Sequence, residues 1–341
     1  MSIHQNGDVI AGRYQVCQHL GTGGLGEVFL CLDTYDKKQV ALKRLRADLA
    51  FPDYVIEQTE REARLLASLM HRNIIRVTDF GVDVQGTYFT LEYIEGPTLS
   101  LILHDGKVPL ETFYQLTLQV LEGLAAAHRK QVLHLDIKPA NLMLQGYPDP
   151  AFTVKILDFG LARLGDEISG HREDELTIGS VYYIAPEQLL HQPLDARTDL
   201  YSLGQVCYHM LAGTVTYPDP DPVVVRNGHL TTDPIRVERY NPQVSRPLAD
   251  WIHSLISRDP EGRPRDAQDA ITRFMRTVMA NPLNSRSDNS LDRYKERPPT
   301  AQLPVGSGLK DDGGGWEWLR SQSGRIFKGT MDKLGNRGID G

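Results

Sequence analysis

The run Gly21-Thr22-Gly23-Gly24-Leu25-Gly26-Glu27-Val28 has the spacing G-x-G-x-x-G-x-V. Residues without side chains let backbone N–H groups approach phosphate oxygens, so the run has a use in holding a phosphate chain. It also fits an ordinary tight hairpin. A dinucleotide-binding turn of this spacing opens a helix, whereas Glu27 to Asp33 reads as a strand, which favours a β-hairpin lid. Val40-Ala41-Leu42-Lys43 on the next strand brings one cation to meet phosphate charge. A lone strand lysine is otherwise a solvated edge residue. Here Glu62, on the following helix, is expected to neutralise and aim Lys43, since a lysine held away from water needs a partner.

The elements that must position these residues change character along the chain. Short β-branched and apolar runs, Tyr14 to Leu20, Glu27 to Asp33, Gln39 to Arg44, Ile75 to Val82 and Thr87 to Tyr93, predict strands between Gly, Asp and Lys turns. One helical pattern interrupts them, from about Asp53 to Met70, with Ile56, Ala63, Leu66, Leu69 and Met70 on one face. From Leu110 the period becomes helical: Leu110 to Arg129, Arg197 to Ala212, Leu248 to Ser257 and Asp266 to Met279. Gly213 is a natural stop for the most apolar of these, and Thr214 to Pro247, rich in Pro and Asp, is expected to be mostly loop. No internal repeat is present, which argues against a solenoid or propeller.

The 341 residues are 40% hydrophobic and 24% charged, enough for two packed lobes. The formal net charge of −7 argues against a protein whose main task is to grip nucleic acid. Positions 1 to 280 hold 27 basic and 36 acidic residues and no basic patch. From Asn281 onward, ten glycines and four prolines in 61 residues predict a flexible tail. Within it, 316–334 alternates Trp316, Trp318, Leu319 and Phe327 with Arg320, Arg325 and Lys328, a pattern open to docking on a partner or an anionic surface, but Gly324 and Gly329 interrupt any helix, which favours the flexible tail. Cys17, Cys31 and Cys207 form neither a C-x-x-C pair nor an even set, so buried thiols in a reducing compartment are expected. No apolar run is long enough to span a bilayer and Met1 to Asp8 lacks a signal core, giving a cytoplasmic expectation.

His134-Leu135-Asp136-Ile137-Lys138-Pro139-Ala140-Asn141, then Asp158-Phe159-Gly160, then Ala185-Pro186-Glu187 follow the glycine run and Val40-Ala41-Leu42-Lys43 in order. With this series the chain resembles the eukaryotic-like (Hanks-type) protein kinases, bacterial Ser/Thr kinases in particular, over about residues 14 to 278. The resemblance implies an α+β bilobal fold: a small β-rich N-lobe with one main helix at 14–94 and a larger, mainly helical C-lobe at 95–280, flanked by an extension at 1–13 and the tail at 281–341. It implies a Ser/Thr protein kinase using ATP and Mg²⁺, or Mn²⁺, on protein substrates.

Residue by residue, the resemblance gives Lys43 the α- and β-phosphates and a pair with Glu62. Asp136 accepts or orients the proton of the substrate hydroxyl, and Lys138 steadies the γ-phosphate. Asn141 and Asp158 hold two metal ions. The glycine run Gly21 to Gly26 covers the phosphates, Val28, Ala41 and Met143 sandwich adenine, Leu91 is the gatekeeper, and the hinge backbone at Glu92, Tyr93 and Ile94 offers hydrogen bonds. For Val28, Ala41 and Met143 ordinary core packing is the competing reading. Leu66, Val77, His134 and Phe159 fall where the family stacks an apolar spine, making His134 a packed core histidine and not a base. Glu187 is expected to pair with Arg263, Asp199 to anchor the catalytic loop, and Ser180 to keep the hydroxyl that the family's usual Thr gives to the catalytic Asp and Lys.

The pattern departs at Leu135, where the family usually has the Arg that receives an activation-loop phosphate. Arg163 and the acidic stretch Asp166 to Thr177 offer a constitutive ion pair in its place, or a solvated acidic loop, and activity is expected not to depend on phosphorylation of Thr177. Two other readings share the motifs: a pseudokinase acting as a nucleotide-binding scaffold, and a small-molecule kinase, against which the long Asp158 to Glu187 segment argues.

Overall fold

The computed structural model describes residues 4–23, 26–45, 67–159 and 179–280. Gly24 and Leu25, Glu62 and Leu66 with most of the helix expected at 53–70, Gly160 through Arg163 to Thr177, and the tail with its segment 316–334 lie outside the described residues.

Six strands form one antiparallel sheet: β1 (Val9–Ile10), β2 (Tyr14–Gly23), β3 (Gly26–Asp33), β4 (Gln39–Leu45), β5 (Val77–Asp83) and β6 (Gly86–Glu92), in the order β1-β2-β3-β4-β6-β5. Alternation sorts their side chains by face. Tyr14 and Val16, Phe29 and Cys31, Val40 and Leu42 build a small core with Ile10 and Tyr88. The intervening residues Val28, Ala41 and Lys43 belong to the other face, so the strand period itself decides which residues are free to line a cleft. The sheet curls: Arg13, just before β2, donates to Asp79 on β5 at 3.2 Å, and the Tyr14 hydroxyl donates to the same carboxylate at 2.5 Å. Arg44 is fully buried and held bidentately by Asp83 at 2.6 and 2.7 Å, the form in which an interior guanidinium is tolerable.

Helices dominate the second lobe: α1 (Leu99–His104), α2 (Leu110–His128), α3 (Pro186–Leu189), α4 (Ala196–Ala212), α5 (Pro222–Thr231), α6 (Arg246–Leu255) and α7 (Ala267–Ala280). α4 is buried almost all round and is the centre about which α2, α6 and α7 pack, as its apolar composition requires. Asp195 caps its first turn, and Gly213 ends it at φ +75°, where a residue without Cβ adopts the left-handed turn at least cost. A two-stranded sheet, β7 (Leu142–Gln145) with β8 (Thr153–Ile156), lies beneath the first lobe. The segment entering β5 docks on it through Ile75 N–H to Ile156 O at 2.9 Å and Ile156 N–H to Asn73 O at 2.8 Å. The architecture is therefore α+β and bilobal.

The stretch 214–247 is less irregular than its composition suggests, because α5 runs through it. Asp221 accepts from Val223 N–H at 2.8 Å as the N-cap, and Pro222 sits at the first helical position, where its missing donor costs nothing. Val225 and His229, four apart, bury the inner face. The Pro and Asp that read as loop punctuation are start signals.

Candidate active site

β2 and β3 pair Gly21 with Val28, Thr22 with Glu27 and Gly23 with Gly26, so the described residues of the glycine run lie on two paired strands and open no helix. At Gly26 a Cβ would lie 1.9 Å from the Arg44 carbonyl oxygen, a close approach that only glycine permits. Val28 stands opposite Lys43, and Ala41 opposite both Leu30 and Leu91. This puts Val28, Ala41 and Leu91 around one patch of the sheet. Met143 on β7 bridges to Thr98 at the start of α1. Ile94 is buried and Tyr93 half-buried. Glu92 N–H donates to Arg76 O at 2.9 Å, and its carboxylate accepts from Lys155 Nζ at 2.6 Å. Its backbone N–H is therefore already taken, which leaves the following residues as hinge donors.

Lys43 reaches across the cleft. Its Nζ lies 2.9 Å from Asp158 Oδ1, an ion pair that ties β4 to the residue two beyond the end of β8. Burial pushes the Asp158 carboxyl up, but Lys43, with His134 and Lys138 adding to it, outweighs this and holds the group below the usual aspartate range. Asp158 adopts φ +54°, a left-handed conformation that costs an ordinary residue about 1 kcal/mol. Phe159 beside it is buried against the His134 ring, centroids 4.6 Å apart. Val77 packs partly buried against the same core.

The loop from His134 to Asn141 is fixed from within. Asp199, fully buried on α4, accepts from His134 N–H at 2.9 Å and Leu135 N–H at 2.7 Å. It also pairs with His128 Nε2 at 2.9 Å. Burial raises this carboxyl, and the His128 and His134 contacts overcome that and lower it below its ordinary value. His134 donates from Nε2 to Leu157 O at 2.7 Å and accepts from Asp136 N–H at Nδ1, so both ring nitrogens are committed, as expected of a packing residue. Leu135, 9% exposed, takes φ +64°.

The loop presents three polar groups, Asp136, Lys138 and Asn141, and Ser180 joins them from outside it. Lys138 Nζ lies 2.7 Å from Asp136 Oδ2 and 2.7 Å from Ser180 Oγ. Asn141 Nδ2 donates to the Asp136 carbonyl at 2.8 Å and to its Oδ2 at 3.0 Å. The Asn141 carbonyl in turn accepts from Leu157 N–H at 2.9 Å, which brings Asn141 alongside the approach to Asp158. Two cations, two carboxylates and one amide thus converge from positions 43, 136, 138, 141 and 158.

The donor set also bears on metal binding. Among the described residues no three His, Cys, Asp or Glu side chains converge as a cage. Asp158 and Asn141 offer hard oxygens but too few to fill a shell, which suits Mg²⁺ arriving with phosphate oxygens and water. The residues present therefore fit that ion.

Further from the cleft, Glu187 on α3 and Arg263 form a buried bidentate pair at 2.6 and 2.9 Å. Arg263 also donates to the carbonyls of Arg197, Ser257 and Arg258 and lies over the Tyr201 ring at 4.8 Å. No motif or periodicity pointed to His128, Asn73 or Lys155. His128 simply ends α2, and only packing reveals that it shares Asp199 with the loop.

Comparison with known proteins agrees with this geometry. Residues 14–275 match the protein kinase domain family. The chain is 34% identical over 265 residues to the serine/threonine-protein kinase pkn2 of Myxococcus xanthus, covering 76% of this chain and 32% of that one. It is 32% identical over 282 residues to the serine/threonine-protein kinase PrkC of Bacillus subtilis, covering 82% and 43%. The chain thus matches less than half the length of these curated relatives. The kinase domain of Mycobacterium tuberculosis PknI superposes with a TM-score of 0.63 at 23% identity, over 82% of this chain and 100% of that one, a likeness of fold.

Proposed function

Because the chain belongs to the protein kinase domain family, we propose that it transfers the γ-phosphate of ATP to serine and threonine hydroxyls of proteins. The observation that carries this is the meeting of the Lys43–Asp158 pair with the Asp136, Lys138, Asn141 and Ser180 cluster in one cleft. Phosphoryl transfer passes through a loose state with charge spread over the phosphoryl oxygens, so fixed cations and alignment do most of the catalysis.

In this reading Lys43, released in part from Asp158, neutralises the α- and β-phosphates under the hairpin Gly21 to Gly26. Val28, Ala41, Leu91 and Met143 enclose the adenine, and the backbone at Tyr93 and Ile94 meets its edge. Asp136 accepts the proton of the incoming hydroxyl, held in aim by the Asn141 amide, and Lys138 moves between Asp136 and the γ-phosphate with Ser180 as its rest. Asn141 and Asp158 would hold Mg²⁺, or Mn²⁺, which supplies positive charge at the phosphate oxygens when bound. Glu62 lies outside the described residues, and its partnership with Lys43 belongs to the same proposal.

Activity does not wait on phosphorylation of the segment before Ser180. Leu135 replaces the arginine that would receive such a phosphate and is buried, so that receptor is missing. Among the described residues no helix is long and apolar enough to cross a membrane. Incubating the chain with labelled ATP, Mg²⁺ and a general acceptor protein, then hydrolysing the acceptor, tests the reading. Phosphoserine or phosphothreonine supports it, and transfer confined to small-molecule acceptors overturns it.

A further inference from the structure

The residue after Ala185-Pro186-Glu187 does more than continue the helix. Gln188 accepts from Ala185 N–H at 3.0 Å through Oε1, closing the first turn of α3, and donates from Nε2 to the Leu135 carbonyl at 2.9 Å, 53 positions away. The Leu135 carbonyl and the Asp136 N–H belong to one peptide plane, so a bond to the first orients the second. That plane has a second restraint in Asp136 N–H to His134 Nδ1 at 3.2 Å, and the plane before it is held by Leu135 N–H to Asp199 at 2.7 Å. Leu135 lies between them at φ +64°, a conformation that a leucine keeps only when its surroundings impose it.

We propose that Gln188 is a positioning residue of the reaction: its amide fixes the Leu135–Asp136 peptide plane, and so the carboxylate of Asp136, from the helix that follows the activation segment. In a chain whose loop has leucine where a phosphate-binding arginine is usual, this neutral bond connects the two segments without any modification. One end of Gln188 caps its own helix while the other holds the loop, so α3 and the loop move as one piece. The inference rests on the proposed kinase activity only in its kinetic consequence.

The two ends of the amide can be separated. Gln188→Glu keeps an oxygen for Ala185 N–H but has no donor for the Leu135 carbonyl, and Gln188→Met removes both without adding charge. The full chain and both variants are compared by amide hydrogen exchange and by steady-state kinetics. Expected is exchange faster by about tenfold across His134 to Ile137 in both variants, with exchange in α4 unchanged as the control of folding. Turnover falls by about tenfold while the KM for ATP stays within about twofold, a split that general loss of structure would not produce. Exchange across His134 to Ile137 and turnover both within twofold of the parent in the two variants overturn the proposal. A parent chain that transfers no phosphate would end the proposed function, while the exchange comparison would still decide the role of Gln188.

Discussion

Lys43 and Asp158 are 115 positions apart in the chain and 2.9 Å apart in the fold, joining a strand of the first lobe to the end of a hairpin in the second. The pair keeps each charge partnered, and it brings together the cation and the carboxylate that serve the phosphates in the proposed reaction. Lys43→Met therefore removes a cation aimed at charge that develops during transfer. A loss of about 10² to 10³ in turnover is expected, the cost of losing one preorganised electrostatic contact, with the circular dichroism spectrum unchanged. A variant within fivefold of the parent would show that Lys43 does not serve the reaction.

Arg263 and Glu187 are 0% and 4% exposed in their side chains, so removing one leaves the other buried and unpaired. Arg263→Ala should cost about 3 to 5 kcal/mol in urea denaturation. Its activity should recover at low temperature, because the defect is in assembly and not in chemistry.

His229 is fully buried, accepts from the Tyr201 hydroxyl at 2.8 Å and donates to Val181 O at 3.0 Å. Burial lowers its pKa from 6.5 to about 4, a little opposed by the Val181 bond. Between those two values the unfolded chain binds a proton that the folded chain refuses. The contribution of His229 is thus complete above about pH 6.5 and is lost as the pH falls towards 4, with a slope of up to about 1.4 kcal/mol per unit. His209, with its pKa also lowered to about 4 by burial, adds to the same trend. Unfolding free energies at pH 7, 6 and 5 should fall more gently in His229→Gln than in the parent.

Thr177 lies outside the described residues, and in the proposed reading Leu135 leaves its phosphate without the usual receptor. Thr177→Ala should keep activity within about threefold of the parent in the transfer assay. A hundredfold loss with fold and ATP binding intact would refute independence from that modification.

The sequence made the chemistry more legible than the support. Lys43, Asp136, Lys138, Asn141 and Asp158 stand in short strings whose order identifies a family, and strand alternation around Phe29 and Leu42 placed the sheet. The four long helices from Leu110 onward follow from apolar period alone. What stayed hidden are contacts between residues with no local signature: His128 with Asp199, Lys155 with Glu92, and Asp79 reached by Arg13 and Tyr14. These depend on how the sheet curls and how helices cross, which no window of neighbouring residues records. α5 was obscured differently, since Asp221-Pro222 can either break a chain or start a helix, and buried Val225 and His229 decide for the helix. β7 and β8, four residues each, are too short for their alternation to stand out.

The most direct test of phosphate transfer through Asp136 is a single-turnover measurement from ATP to an acceptor protein, parent against Asp136→Asn, with nucleotide affinity measured in both. Asn141 and Lys138 both lie within 3.0 Å of the Asp136 carboxylate, so the substitution changes the group at the centre of the cluster and little else. Transfer by the parent, with a loss of about 10² or more in the variant at unchanged nucleotide affinity, is the predicted result. Equal transfer by both chains, or none by a parent that binds nucleotide and Mg²⁺, would contradict it.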